Sequence, residues 1–213
     1  MRRPTPTWIY YFTHVDHLAS IARDGLVCDA DAHLPGRLTT EVGDAEIKAR
    51  RRVRSVTTGP GGVLADYAPF YFGNRGPMLL NIHTGRVPSY HGGQAGLVYL
   101  CTTVERIHER GLRWVASDRN AATALARFTS DIDALDGHVD WPLVGSRSWA
   151  KTDADPDRPK RHQAELLVHG RLPWQDILFV AARHASDLAR VEATLSSLDG
   201  YQPRRDVRPG WYF

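Results

Sequence analysis

The most constraining feature of the sequence is a short apolar segment near its three-quarter point that carries one carboxylate at its start. Residues 163–169 read Gln-Ala-Glu-Leu-Leu-Val-His, and these side chains predict a β-strand. In a strand, Glu165 lies on the face opposite to Leu166 and Val168. A glutamate in a partly buried strand costs free energy unless a partner compensates its charge. Glu165 is therefore either an edge-strand residue paired with a nearby arginine or a catalytic carboxylate.

Length and composition limit the class of protein. With 213 residues, the chain fits one domain that buries roughly 70% of the surface of its unfolded form. Cys28 and Cys101 are its two cysteines, so we expect a cytoplasmic protein without a disulfide framework. No run approaches eighteen apolar residues, and only a short apolar run follows Arg2 and Arg3. We therefore expect neither a membrane span nor a signal peptide.

The net charge is only +3, but the cations are clustered along the chain. A single basic cluster is usually a solvated face of a domain. Three clusters in a chain of this length raise the expectation of a polyanionic partner, above all a nucleic acid. The clusters are Lys48, Arg50, Arg51, Arg52 and Arg54; Arg158, Lys160 and Arg161; and Arg204, Arg205 and Arg208.

Hydrophobic periodicity predicts an α+β domain in which short strands are scattered among helices, rather than a regular βαβ series. The predicted strands are residues 8–13, 78–83, 97–102, 114–117, 163–169 and 177–182. The predicted helices run from an Asp16 N-cap to Gly25, and over residues 45–52, 104–110, 121–127 and 186–198, with Ser186 as the last cap. The helix at 45–52 is expected to carry its cations outward and to turn Ile47 inward.

Two stretches, residues 28–46 and 128–159, lack clear periodicity and are expected to be irregular. The second leads directly into the strand of Glu165, and such long irregular segments inside a compact domain are often functional. Between the two stretches, residues 66–72 hold four aromatic side chains. Pro69 and Pro77 predict an extended segment there rather than a helix. Its aromatic side chains are more typical of a core than of a ligand platform.

Several familiar chemical signatures are absent from the sequence. No GxGxxG follows a predicted strand and no GxxxxGK[ST] occurs, so neither phosphate-binding loop is supported. His14 and His17 stand three residues apart, but no CxxC or HExxH completes a zinc set. There is no GxSxG nucleophile elbow, and Cys101 lies in an apolar strand where a structural role is expected.

Several segments of the chain occur together in one known family. The matching segments are residues 9–14, 47–51, 61–72, 75–79, 92–94, 163–168 and 211–212. The Asp-Tyr-Ala-Pro-Phe-Tyr-Phe and Gln-Ala-Glu blocks are the distinctive ones. In these segments, which run in family order over essentially the whole chain, the protein resembles DarT, the DNA ADP-ribosyltransferase toxins of the DarT–DarG toxin–antitoxin systems.

The resemblance implies a single-domain ADP-ribosyltransferase fold over residues 1–213, with a split antiparallel β core, flanking helices and a cleft for NAD⁺. It implies that Glu165 is catalytic and that Arg51 is essential, without a metal. A segment at about 34–56 would cover the bound NAD⁺, and a segment at about 119–165 would present the target base to it. The implied NAD⁺ contacts are Tyr11, Phe12, Thr13, Ser20, Arg51 and Tyr71.

One position departs from the family pattern, because Tyr11 stands where the family has a histidine. A tyrosine hydroxyl can still donate one hydrogen bond to a ribose or to the nicotinamide amide. The substitution leaves open the detail of that contact and the choice of target base. It does not change the expected class of reaction.

The implied chemistry suits these residue types. Transfer of ADP-ribose breaks the bond between nicotinamide and ribose through a transition state with oxocarbenium character, which a carboxylate at the ribose 2′-OH stabilises. Arg50, Arg51 or Arg54 could bind the pyrophosphate of NAD⁺. The family arginine is also given a proton-accepting role, but a guanidinium stays charged at ordinary pH. We therefore expect Arg51 to orient NAD⁺ and to stabilise an anionic base.

The expected acceptor is a ring nitrogen of a base, which base pairing hides, so single-stranded DNA is the expected substrate. The function expected is that of a toxin that modifies a DNA base, with thymine as the first choice. Transfer to guanine or to RNA, and a nucleic-acid-binding module without catalysis, are the alternatives. The resemblance also implies a macrodomain antitoxin of the DarG type. The candidate DNA contacts are Arg54, Arg75, Arg119, Trp149 and Lys160, and the candidates for base stacking are Tyr67, Phe70, Tyr71 and Trp149.

Overall fold

Eight strands form one sheet at the centre of the structure, a computed structural model that describes residues 2–34 and 39–213. In chain order the strands are β1 (Trp8–His14), β2 (Leu26–Val27), β3 (Tyr67–Tyr71), β4 (Leu97–Thr103), β5 (Trp114–Ser117), β6 (Phe128–Thr129), β7 (Glu165–His169), β8 (Arg171–Leu172), β9 (Phe179–Ala182) and β10 (Arg204–Val207). Their order across the sheet is β10-β9-β4-β1-β3-β7-β5-β6, and β2 and β8 form a separate pair. Neighbouring strands are antiparallel except β9 and β10, which are parallel.

Helices flank the sheet, and none of those in the described residues is long and apolar enough to cross a membrane. They are α1 (Leu18–Asp24), α2 (Asp29–Ala32), α3 (Ala45–Val53), α4 (Pro77–His83), α5 (Val104–Glu109), α6 (Leu135–His138), α7 (Trp141–Val144), α8 (Arg158–Arg161) and α9 (Ala185–Ser196). Single 3₁₀ turns lie at Val15–His17, Leu64–Asp66, Trp174–Asp176 and Pro209–Trp211.

The sheet is split in its middle. β1 pairs with β4 along its whole length, but β1 and β3 are in register only at Tyr10 and Tyr71. Beyond that point the two strands diverge, and the halves β10-β9-β4-β1 and β3-β7-β5-β6 separate. The split antiparallel core with flanking helices, expected from the resemblance, is confirmed.

Strand β7 is buried on both of its faces. Leu166 and Val168 belong to the main apolar core, and Leu167 packs on the other face with Tyr67 and Val115. Glu165, at the start of the strand, is 1% exposed and lies opposite Tyr71 of β3. The register therefore carries the carboxylate to the place where the sheet splits.

For two segments the sequence predicted the wrong type of secondary structure. Residues 78–83, predicted as a strand, form helix α4, because Pro77 is well placed in a first helical turn and Leu79 and Ile82 bury one face. Residues 121–127, predicted as a helix, form turns. The N–H groups of Thr123 and Ala126 donate to the carbonyl oxygens three residues earlier, so the segment makes separate turns rather than the i→i−4 bonds of an α-helix.

Other predictions were wrong at their boundaries or caps. The N-cap before α1 is not Asp16, whose N–H instead donates to the His14 ring, and His184 rather than Ser186 precedes α9. The stretch 28–46 contains α2, and 128–159 contains β6, α6 and α7. Strand β10 was missed because Arg204-Arg205-Asp206 is strongly polar and lies at the sheet edge. Part of the expected NAD⁺-covering element, residues 35–38, lies outside the described residues.

The end of α1 generates a first testable prediction. Gly25 has φ +82° and ψ 168°, and a Cβ there would lie 2.8 Å from the carbonyl oxygen of Leu172. We expect Gly25→Ala to lower the free energy of unfolding by about 1–3 kcal/mol, because residues with a side chain are strained in this backbone conformation. The melting temperature should fall by about 2–10 °C in differential scanning calorimetry.

The matched control is Gly111→Ala. Gly111 also has a positive φ of +65°, but a Cβ there would meet nothing within 4 Å. Equal losses at Gly25 and Gly111 would show that the close approach of Leu172 contributes nothing.

Candidate active site

A cavity of about 170 Å³, named here the central cavity, lies where β1 and β3 diverge. Strands β1, β3 and β7 supply one wall, and α2, α3 and residues 40–44 supply the other. Its lining includes Tyr11, Phe12, Thr13, His17, Asp29, Thr40, Glu41, Asp44, Lys48, Arg51, Tyr71, Met78, Asn120, Gln163 and Glu165. The split of the sheet thus brings together side chains that are distant in sequence.

The wall of the central cavity holds a buried ion pair. Arg51 Nη1 donates to Glu165 Oε2 at 3.0 Å, and both side chains are less than a tenth exposed. The N–H of Ala121 donates to Glu165 Oε1 at 2.9 Å. The Glu165 N–H donates to Ser117 Oγ at 3.2 Å, which fixes the backbone of the residue. Each carboxylate oxygen keeps one free lone-pair direction, so the group can still accept from a substrate hydroxyl.

Helix α3 delivers Arg51 to this pair. Asp44 caps the helix by accepting the N–H groups of Glu46 at 2.9 Å and Ile47 at 3.1 Å. Arg50 and Arg52 are exposed as expected, but Arg51 is buried and faces inward, so the prediction of outward cations was wrong for this residue. The reason is the carboxylate across the cavity, which compensates the cost of burying a guanidinium.

The charge state of Arg51 follows from its surroundings. Burial alone would lower the pKa of Arg51, but Glu165, Tyr71 and Asp29 together raise the pKa above its ordinary value. Arg51 therefore remains a cation. Its Nη2 atom is buried and has no hydrogen-bond partner among residues 2–34 and 39–213, so the fork holds one donor that no described protein group satisfies.

Two tyrosines beside the ion pair are hydrogen-bond donors. Burial, together with Asp29 and Glu41, raises the pKa of Tyr11 to about 12. Burial and the Glu165 carboxylate also raise the pKa of Tyr71. Both phenols therefore keep their protons at neutral pH. The Tyr71 ring stacks on Phe12 with centroids 6.3 Å apart, which orients it along the cavity wall.

The opposite wall is held by an ion cluster. Lys48 Nζ lies 2.7 Å from Glu41 Oε2 and 3.5 Å from Asp29 Oδ1, and the His33 ring contacts the same Glu41 oxygen. Burial would raise the pKa of Glu41, but Lys48, the N–H of Gly43 and His33 together lower the pKa below its ordinary value. The cluster joins α2, the segment before α3 and α3 itself. It belongs to the element predicted to cover NAD⁺.

His17 connects the two walls. Its Nε2 accepts the N–H of Thr40 at 3.0 Å, so the neutral ring carries its proton on Nδ1, which donates to Thr13 Oγ1 at 2.9 Å. Burial, followed by the nearby His14, lowers the pKa of His17. Ser20 does not line the central cavity. It lines a smaller adjoining cavity of about 60 Å³ with Tyr11, Thr13 and His17.

The predicted DNA contacts do not gather around the ion pair, because none of the five lines the central cavity. Arg54 donates to the carbonyl oxygens of Ala124 at 3.2 Å and Ala126 at 3.5 Å. Trp149 is half-buried against the ring of His162, with centroids 5.5 Å apart. These contacts hold the segment 119–165 in place. A role of Arg54 and Trp149 in DNA binding stays a prediction.

The other predicted DNA contacts differ in their partners. Arg119 is paired with Asp118 and Asp157, and Lys160 with Asp157 at 3.2 Å. Arg75 has no acidic partner in the part of the chain that the structure describes, and its guanidinium lies 4.2 Å from the centre of the Phe213 ring. Of the three, Arg75 is the one whose charge is not locally compensated.

Sequence reasoning missed several residues of the cavity. They are His17, Asp29, Glu41, Asp44, Lys48, Asn120 and Gln163. Asp44 had a signal, since an aspartate ahead of a helical run is a typical N-cap. Lys48 and Gln163 lie in segments that match the family pattern, but the sequence did not show that they line a cavity. The remaining residues had no signal, because their position depends on the way the strands diverge. Within the described ranges, no three His, Cys, Asp or Glu side chains converge to form a metal site.

Solved structures of known proteins share this fold over the whole chain. Thermus sp. 2.9 DarT in complex with ADP-ribosylated ssDNA matches with a TM-score of 0.92 and 33% identity, over 100% of this chain and 99% of that one. The same protein in complex with NAD⁺ matches with a TM-score of 0.87 and 32% identity, over 99% and 100%. Thermosipho africanus DarTG, at 16% identity and a TM-score of 0.76, shares the fold over 97% of this chain and 51% of its own. The fold and the site define a DNA ADP-ribosyltransferase.

Sequence comparison identifies the family. A family model described as ssDNA thymidine ADP-ribosyltransferase, DarT, matches residues 10–213. The DNA ADP-ribosyl transferase of Mycobacterium tuberculosis is 34% identical over 215 residues, which cover 100% of this chain and 91% of the relative. The chain belongs to the DarT family. The expected family, fold and enzyme class are confirmed.

His17 generates a second testable prediction. Because its pKa is lowered in the folded protein, protonation opposes the folded arrangement. The contact with Thr40 is fully stable above the ordinary histidine pKa of about 6.5, and it is lost as the pH falls from there toward the lowered pKa. We expect the hydrogen-exchange protection factor of the Thr40 amide to fall over that range.

His17→Gln should remove this pH dependence, since a glutamine oxygen accepts a hydrogen bond without titrating. His108→Gln, on the exposed side of α5, is the control and should retain it. A protection factor in the unmodified protein that is flat between pH 7 and 5 would contradict the role of His17.

Proposed function

We propose that this chain transfers ADP-ribose from NAD⁺ to a ring nitrogen of thymine in single-stranded DNA, with Glu165 and Arg51 as its catalytic residues. The buried Arg51–Glu165 pair on the wall of the central cavity carries this proposal. The family model supports thymidine as the acceptor. The solved relatives, described with NAD⁺ and with ADP-ribosylated ssDNA, support the two substrates.

The central cavity suits the nicotinamide ribose of NAD⁺. Tyr11 and Tyr71 offer hydroxyl donors, and the Phe12 ring offers an apolar face. Lys48 and Arg51 are the cations among its lining residues, so we assign the attraction of the pyrophosphate to them rather than to the exposed Arg50. Thr13 contacts the same space, whereas Ser20 reaches only the adjoining cavity.

Glu165 acts on the sugar. When the bond between C1′ and the nicotinamide nitrogen breaks, nicotinamide leaves with the electron pair and the ribose gains positive charge. Glu165 accepts a hydrogen bond from the 2′-OH, and this bond strengthens as the charge develops, so it stabilises the transition state more than the ground state. During this step, hydrogen bonds from the N–H of Ala121 and from Nη1 of Arg51 keep the carboxylate in position.

Arg51 acts on the base. In thymidine N1 carries the deoxyribose, so the nitrogen that can attack C1′ is N3. A new bond forms between N3 and C1′, and the N3 proton passes to water. A cation with a raised pKa does not accept that proton, but its unpaired Nη2 can donate to a carbonyl oxygen of thymine as negative charge develops there.

The DNA must be single-stranded at the target, because N3–H is engaged in base pairing in a duplex. A flipped or unpaired base can enter the cavity, whereas a stacked and paired base cannot. We assign the segment 119–165 to the presentation of the base, since Asn120 and Gln163 from its two ends line the cavity beside Glu165. The exposed cations of α3 and the polar surface of this segment would face the strand.

A toxin role and an antitoxin partner belong to the same proposal. Modification of thymine would block its pairing and therefore replication. We assign the chain to a toxin–antitoxin pair in the cytoplasm whose second member is a macrodomain of the DarG type that removes ADP-ribose. The family resemblance supports this assignment.

The central experiment incubates the protein with labelled NAD⁺ and oligonucleotides. We expect label on single-stranded DNA that contains thymine, and none on thymine-free DNA or on RNA. Glu165→Ala should reduce the rate at least about a hundredfold, because it removes the charge that stabilises the transition state. Mass spectrometry of the product should locate the adduct on thymine.

Glu109→Ala is the matched control, because Glu109 is exposed at the end of α5. It should label DNA at the unmodified rate. Label on guanine or on RNA would show that guanine or RNA, rather than thymine in DNA, is the acceptor. DNA binding without any label would favour a nucleic-acid-binding module without catalysis. Undiminished labelling by Glu165→Ala would overturn the mechanism.

The Arg51→Lys variant tests the geometry of the fork. A lysine retains the charge but cannot pair with Glu165 and keep a second donor in a fixed plane. We expect transfer to fall about tenfold or more, with a smaller effect on the affinity for NAD⁺. Isothermal titration with NAD⁺ and single-turnover transfer assays separate the two quantities, and near-full activity of Arg51→Lys would contradict the role of the fork.

A further inference from the structure

A further cavity lies beside the turn that follows β3. It has a volume of about 270 Å³ and is named here the outer cavity. Its lining includes Tyr10, Arg75, Ser146, Arg147, His162 and Trp211. A narrow space lined by Phe12, Tyr71, Met78 and His162 lies between the outer and central cavities. Arg75 follows Tyr71 by four residues, so its Cα lies at most about 14 Å from that of Tyr71.

The outer cavity carries uncompensated positive charge. Arg75 and Arg147 have no acidic partner among residues 2–34 and 39–213. This distinguishes them from Arg119 and Arg161, each of which pairs with at least two carboxylates. Two free guanidinium groups in one cavity attract an anion, and their planar forks suit the oxygens of a phosphate.

Arg75 is oriented without being neutralised. Its guanidinium lies 4.2 Å from the centre of the Phe213 ring, and its Nε is buried with no hydrogen-bond partner in the described residues. Phe213 is in turn held by Gln94, which donates to its main-chain oxygen at 2.8 Å and accepts its N–H at 3.0 Å, and by Arg183, which donates to the same oxygen at 2.7 Å. A stacked guanidinium keeps its N–H groups directed along its edges. Arg75 is therefore pre-arranged to donate.

His162 shapes the wall between the two cavities. Its Nε2 donates to the carbonyl oxygen of Ser146 at 3.2 Å and so fixes the turn that carries Arg147. The ring is 2% exposed, and its Nδ1 lacks a hydrogen-bond partner in the described part of the chain. That atom is on the side of Gly76, where a Cβ would lie 3.7 Å from it.

We propose that the outer cavity binds the phosphodiester group adjacent to the modified nucleotide, with Arg75 and Arg147 as its donors. This inference rests on the proposed function, because it assigns the DNA strand a path from the central cavity past the β3 turn. Arg75 lies four positions after Tyr71 in the chain, a distance of at most about 14 Å that a strand covers with one or two nucleotides. The outer cavity would thus hold the strand while the base is in the central cavity.

The test measures DNA affinity in a protein that binds without reacting. In a Glu165→Gln background, Arg75→Gln combined with Arg147→Gln should weaken binding of a thymine-containing oligonucleotide by about 10–100-fold. The slope of log affinity against log salt should fall by about 0.7 for each lost phosphate contact. Arg204→Gln, which removes the same charge from the far edge of the sheet, is the matched control and should change neither quantity.

A second arm identifies the phosphate. Single neutral methylphosphonates placed on either side of the target thymidine should weaken binding at one position. At that position the substitution should have no further effect on the Arg75→Gln, Arg147→Gln protein, since the contact is already lost. Additive losses at every position would overturn the proposal.

A third measurement, the affinity for NAD⁺, shows whether the phosphate bound in the outer cavity belongs to DNA or to NAD⁺. The affinity for NAD⁺ should be unchanged in the double variant, and a fall in NAD⁺ affinity with unchanged DNA affinity would overturn the proposal. Arg147→Gln alone, at an exposed position, should weaken DNA binding in the same direction even if the change at Arg75 disturbs packing on Phe213. Failure of unmodified protein to label any DNA would instead contradict the proposed function.

Discussion

The buried pair of Arg51 and Glu165 is the interaction on which the rest of the site depends. Removing two charges from water costs several kcal/mol per ion, and their attraction offsets this cost only with good geometry and further hydrogen bonds. The structure supplies both, through the 3.0 Å contact and the Ala121 N–H. Three distant parts of the chain must therefore meet for either residue to be buried. The pair fixes the arrangement of helix α3, strand β7 and the turn after β5.

The split of the sheet provides the space for this pair. Since β1 and β3 meet only at Tyr10 and Tyr71, the strands leave room for a ligand without the loss of a long ladder of hydrogen bonds. Helix α2, helix α3 and residues 40–44 close the far side, through Lys48, Glu41 and His17. Rigid strands thus hold the carboxylate, and a smaller, more polar element closes over it.

The sequence predicted the strand of Glu165, its possible arginine partner and, through the family blocks, the split fold. It also predicted the helix of Arg51, but not that Arg51 turns inward, because a local pattern does not reveal a carboxylate 114 residues away. Residues 78–83 looked like a strand because four of the six are apolar, whereas Pro77 and the burial of two side chains favour a helix. Residues 121–127 form turns instead of the predicted helix, and Ala121, at their start, donates its N–H to Glu165. Local propensity was thus overridden where the chain forms the site.

The acidic residues of the segment 119–165 have a consequence for turnover. Asp140 and Asp155 hold Arg161, and Asp118 and Asp157 hold Arg119, so much of the local positive charge is satisfied internally. A surface with few free cations holds DNA weakly outside the few places where a guanidinium is unpaired. Weak general attraction lets a finished strand dissociate rapidly, so that one molecule of the enzyme can act on many sites in succession.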